Sequence, residues 1–163
     1  MGFYIKVSEC IRNWRGNHMH IGRETDYALR IVMYLVAKGH GVKVSAGEIA
    51  KAMSVPERFN LKILRKLALC GIVRSTRGIY GGFSLMTLPH ELTLLQVIEA
   101  IEGPVALSRC TADDDFCGMS PAFTACPVKA KLQEASETLR NLLGSTTFAE
   151  LDCTTIPAQT PQD

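Results

Sequence analysis

SVPERFNLKILRKLALCGIVRSTRGIYGGFSL, Ser54–Leu85, is the stretch whose reading decides the fold. Pro56 occupies a favoured first-turn position, Ser54 reads as a helix cap, and Glu57 lies where the helix dipole favours a carboxylate. Phe59, Ile63, Leu64 and Leu67 recur at helical spacing, so their face is core. Arg58, Asn60, Lys62, Arg65 and Lys66 fill the other face, and Gly71 stops the helix. Two short β-like runs follow, Ile72–Ser75 and Gly82–Met86, joined by a glycine-bounded turn that carries Arg77 and Tyr80. Between Pro56 and Arg77 six Lys/Arg stand against one acid, a local +5 in a chain of net charge +2. A basic element on an otherwise slightly acidic chain points to a phosphate-binding face. A merely solvated helix face would interleave both signs four residues apart.

Upstream of this stretch, a first helix is expected from Glu24 to Lys38. Ala28, Ile31, Val32 and Leu35 share one face, with Glu24, Thr25 and Asp26 at the N-terminus and Gly39–Gly41 beyond the end. Ser45 then opens a short second helix, with Glu48 completing a capping box and Ala46, Ile49, Ala50 and Met53 facing inward. Helix, tight turn and basic helix make a helix-turn-helix, and the hairpin after it makes the motif winged. The fold class is therefore mainly α with a small β-hairpin wing. A B-DNA major groove admits one helix. The candidate DNA contacts are thus Ser45, Arg58, Phe59, Asn60, Lys62, Arg65 and Lys66, with Arg77 and Tyr80 on the wing. The expected partner is a double-stranded operator.

Downstream, Leu92–Ile101 reads as an amphipathic helix ended by Gly103-Pro104. Further on, Val128, Leu132, Ala135, Leu139 and Leu142 form a heptad-like stripe suited to burial against its own domain or, the favoured reading, to pairing with the same helix of a second subunit. Thr147–Leu151 is expected to add one more turn, and the Thr/Pro/Gln-rich tail reads as disordered. The resulting divisions are 1–18, an extension; 19–104, the winged domain; 105–127, a cysteine loop; 128–151, the dimerisation helix region; and 152–163, the tail.

Composition excludes several classes. At 163 residues, 47% apolar and 21% charged, the chain is an ordinary globular protein. No apolar run reaches the ~20 residues of a membrane span, and Met1–His18 lacks the apolar core of a signal peptide, so a cytoplasmic location is expected. Six cysteines in a reducing compartment favour metal binding or redox sensing over a disulfide framework. Cys110, Cys117 and Cys126 fall in a loop between helices, where thiolates can converge on iron–sulfur or zinc; free thiols are the third possibility. Cys70, before Gly71, reads as a small half-buried residue. An enzyme is the remote alternative: no nucleophile–base pair is present, and Arg77-Gly78-x-x-Gly81-Gly82 lies in a hairpin, not ahead of a helix.

These motifs stand in a familiar order. Thr25-Asp26-Tyr27-Ala28-Leu29-Arg30, Ser45-x-x-Glu48-Ile49-Ala50, Val55-Pro56-x-x-Phe59, Lys62-Ile63-Leu64, Arg77-Gly78-x-x-Gly81-Gly82-Phe83 and Val97-Ile98-x-Ala100-Ile101-Glu102-Gly103 resemble the IscR/NsrR/CymR family of bacterial winged-helix regulators, over about Met19 to Leu151. The resemblance implies a homodimer whose long C-terminal helices pair while two winged domains read a near-palindromic operator. It also implies that Cys110, Cys117 and Cys126 hold an iron–sulfur cluster, [2Fe-2S] or [4Fe-4S], because CymR-like members lack such cysteines. Lys129 stands where IscR-like branches place a histidine ligand. By resemblance to NsrR-like branches, the fourth ligand is then Asp26 from the partner subunit, with Glu24 or Cys153 as alternatives. The intervals between the cysteines are longer than is usual in either branch. Nitric oxide, iron or cluster supply and redox state are the candidate signals.

Overall fold

The computed structural model describes residues 21–112 and 126–151. Helix α1 (Arg23–Lys38) buries Ala28, Ile31, Val32 and Leu35, the face that the spacing predicts. Helix α2 (Ala46–Ala52) is capped by Ser45, whose hydroxyl accepts from the Glu48 amide at 3.1 Å. The expected capping box is only half made. The Glu48 carboxylate instead accepts from the Tyr34 hydroxyl at 2.9 Å and pairs with Lys38 at 3.0 Å, tying α2 to the end of α1.

Helix α3 (Glu57–Leu69) buries Ile63, Leu64 and Leu67 completely. Its cap differs from the expectation: Pro56 is the N-cap residue, and Ser54 stands in the left-handed region at φ 52°. The reversal between α2 and α3 takes up that positive φ. Pro56, with ψ 133°, then supplies the extended conformation that an N-cap requires.

Strands β1 (Val73–Thr76) and β2 (Gly82–Leu85) pair antiparallel, with Val73 opposite Leu85 and Thr76 opposite Gly82. Val44 extends this ladder: it donates to the Phe83 carbonyl at 2.9 Å and accepts from the Phe83 amide at 2.8 Å. The backbones approach so closely that a Cβ on Gly82 would lie 2.6 Å from the Val44 carbonyl oxygen, so glycine is required there. The base of the wing is thereby fixed to the loop that precedes α2.

Helix α4 (Leu94–Glu102) starts with a complete capping box between Thr93 and Gln96 and buries Val97, Ala100 and Ile101 in the core it shares with α1 and α3. A one-turn helix, α5 (Arg109–Ala112), and the 19-residue α6 (Pro127–Ser145) follow. Two polar contacts anchor α6 to the domain. Arg140 pairs with the buried Glu99, which also accepts from the Val105 amide at 3.3 Å. The Ser136 hydroxyl accepts from the Leu107 amide at 3.2 Å. After α6 the chain turns back instead of adding the expected helical turn. Leu94 donates to the Thr146 carbonyl at 3.0 Å and Phe148 to the Leu92 carbonyl at 2.9 Å, and Phe148 is buried in the core. Continuing the helix would have kept that aromatic ring out of the core. The tail and the N-terminal extension lie outside the described residues.

Candidate nucleic-acid interface and cysteine site

The outward side of α3 presents Arg58, Lys62 and Arg65, all exposed. The Arg58 guanidinium lies over the Phe59 ring at 4.9 Å, and Phe59 leans on Tyr27 of α1 at 6.2 Å between centroids. Arg30 in turn lies 5.9 Å from the Tyr27 ring and pairs with Asp26 at 2.7 Å. A continuous series of cation–π and ring contacts therefore runs from the first turn of α1 to the first turn of α3. Arg77 and Tyr80 are exposed on the wing, and Ser45 is exposed at the cap of α2. Ile79, which the sequence reading passed over, stands beside Tyr80 at the wing tip; the two are 98% and 89% exposed.

Two expectations about α3 need correction. Asn60 does not face outward; it is buried, and its amide nitrogen donates to the Ala46 carbonyl at 2.7 Å. It thereby joins the two helices of the motif. Lys62 and Lys66 are not free basic groups either: both donate to the Glu24 carboxylate of α1, Lys66 at 2.8 Å. Burial opposes ionisation of Glu24, yet the two lysine hydrogen bonds and charges hold its carboxyl below the usual carboxylate range. Neither the helix-dipole role nor the alternative-ligand role read from the sequence for Glu24 includes these lysines, which lie on another helix.

The cysteine segment is described at both ends. Cys110, in α5, has its sulfur 3.1 Å from the Ser108 hydroxyl. Cys126 is the N-cap of α6, its sulfur accepting from the Lys129 amide at 3.5 Å. Both are free and half-buried, and α5 packs on α6. Cys117 and Cys153 lie outside the described residues. Asp26 sits half-exposed in the first turns of α1, paired with Arg30. Among the described residues no three Cys, His, Asp or Glu side chains converge on one point. The donors within view are two soft thiols, a fit for iron–sulfur or zinc that other ligands must complete. Cys70 is wholly buried in the core, not half-buried as its place before Gly71 suggests.

Residues 21–153 match the family model Rrf2, described as an iron-dependent transcriptional regulator. The chain is 33% identical over 134 residues to Protein aau3 of Rhizobium meliloti, covering 82% of this chain and 84% of that protein. It is 31% identical to the HTH-type transcriptional regulator NsrR of Geobacillus kaustophilus, covering 82% and 89%. Its fold is similar to that of CymR, the global cysteine regulator of B. subtilis, with TM-score 0.64 and 27% identity over 84% of this chain and 98% of that one.

Proposed function

The chain belongs to the Rrf2 family of DNA-binding transcriptional regulators, and from that premise we propose that it acts as a homodimer whose operator affinity is set by an iron–sulfur cluster. Cys110, Cys117 and Cys126 are the thiolate ligands, and Asp26 of the partner subunit is the fourth. One observation carries this reading: two free, half-buried thiols bracket the segment that joins the winged domain to α6. At Cys126 the sulfur receives the Lys129 amide and the positive end of the α6 dipole, a setting that suits a thiolate ligand. Asp26 meets Arg30 through Oδ2 at 2.7 Å, which leaves Oδ1 as the oxygen to ligate. A bound cluster supplies a labile, redox-active iron.

The DNA-facing groups divide by role. Arg58 and Arg65 face the major groove from α3, with Phe59 holding the Arg58 guanidinium in place. Ser45 meets a phosphate, while Arg77 and Tyr80 reach the flanking backbone or minor groove from the wing. The uncovered stripe of α6, with Val128 and Leu142 66% and 63% exposed, supplies the dimer contact.

Anaerobic reconstitution tests the reading. Each of Cys110→Ala, Cys117→Ala and Cys126→Ala should abolish the visible chromophore, and Asp26→Ala should retain a spectrally altered one. Operator affinity should differ between cluster-loaded and cluster-free dimers. A loop cysteine dispensable for both iron content and spectrum sinks the model. The likeness to CymR favours a second reading, a regulator with zinc or free thiols and no cluster; colourless protein after reconstitution would select it.

A further inference from the structure

One carboxylate ties α3 to the first turn of α1. Glu24 accepts from Lys62 and Lys66, and Lys66 also donates to the Ile101 carbonyl at 3.2 Å. Next to Ile101, Glu102 accepts from the Gly22 amide at 3.2 Å and the Thr25 hydroxyl at 2.5 Å. The start of α1, the middle of α3 and the end of α4 are thus closed into a ring of polar contacts. The Glu24 and Lys66 side chains are only 23% and 33% exposed, so solvent and salt screen this pair less than an open surface pair. Asp26 stands two residues on, in the same turn.

We propose that Glu24 is a positioning residue for operator reading: through Lys62 and Lys66 it sets where α3 stands relative to the first turn of α1. Displacement of that turn is then passed to the end of α3 that carries Arg58. The inference rests on α3 as the DNA-reading helix. If Asp26 ligates the cluster, it also gives the cysteine centre a mechanical route to that helix. It assigns Lys62 and Lys66 to an internal clamp, with phosphate contact open to them only when the clamp is broken.

The test uses the full-length dimer, an operator duplex and a scrambled duplex, with anisotropy titrations at several salt concentrations. Glu24→Gln should lower the ratio of operator to scrambled affinity about tenfold, the scale of one lost charge-assisted contact. Scrambled-duplex affinity should hold or rise, with a steeper salt slope, because the released lysines can reach phosphates. Lys66→Met should lower the same ratio, and the double variant should be no worse than the more affected single one. A merely structural role would weaken both duplexes together. Equal loss on both, additive effects, or a Glu24→Gln ratio within about twofold of wild type, well short of one lost contact, overturns the proposal. Should Glu24→Gln fail to fold, Lys66→Met decides on the same criterion. The cluster reading fails separately. If wild-type dimers bind operator equally with and without the cluster, gating is wrong, and the cluster-free ratio still judges Glu24.

Discussion

Helices α3 and α6 are both amphipathic, yet among the described residues their apolar faces are covered to different degrees. In 13 residues α3 buries Asn60, Ile63, Leu64 and Leu67. In 19 residues α6 buries only Ser136, and its apolar side chains at Val128 and Leu142 stay open. A periodic apolar stripe declares that a face must be covered; it does not say by what. For α3 the cover is α1, α2 and α4. For α6 the domain supplies two polar anchors, Arg140 on Glu99 and Ser136 under Leu107, and Val128 and Leu142 stay exposed.

The contrast breaks most visibly at Leu142. Leu142→Asp should leave the helical circular-dichroism signal intact while sedimentation shows monomers. Operator affinity should fall by roughly 100-fold or more, since two half-sites then lose their link. A dimeric Leu142→Asp variant would mean that α6 is covered some other way.

The converse substitution sharpens the comparison. Ile63→Ala, in the completed helix, should cost about 2–5 kcal/mol in urea unfolding. A loss below 1 kcal/mol would show that the α3 core closes around the vacancy.

The smallest effect belongs to the joint between α1 and α2. Hydrogen bonds from Lys38 and Tyr34, against some burial, hold the Glu48 carboxyl below its usual 4.5. A depressed carboxylate adds stability above its unfolded pKa, and that increment is lost as pH falls through the lower folded value. Glu48→Gln should therefore flatten the acid limb of the melting-temperature profile slightly and leave neutral pH almost unchanged. An unchanged acid limb would remove Glu48 from the joint.

The winged fold was legible because its signals are local. Helical spacing marked Ile31, Val32, Leu35, Ile63, Leu64 and Leu67, and glycines marked the turns. Asn60 was legible too, in principle: it precedes Ile63, Leu64 and Leu67 by three, four and seven residues, the spacing of one face. Its polar side chain suggested the outside, but the Ala46 carbonyl needed a donor inside. The Asp26–Arg30 pair also obeys a readable spacing of four. Glu24 with Lys62 and Lys66, Glu99 with Arg140, and Leu107 with Ser136 join residues remote in sequence, and no local pattern announces them. Nor does any local pattern announce Phe148, whose amide donates to the Leu92 carbonyl and whose ring joins the core. In the candidate site, the wing and the exposed face of α3 were readable; the lysine clamp was not.

The wing also carries two clocks. Its base shares the Val44–Phe83 ladder and has no room for a side chain at Gly82, so it opens only when the domain around it opens, on the slow scale of cooperative unfolding. Its tip, Ile79 and Tyr80, touches almost nothing and can sample rotamers within nanoseconds. The wing is thus quick at its point and fixed in its bearing.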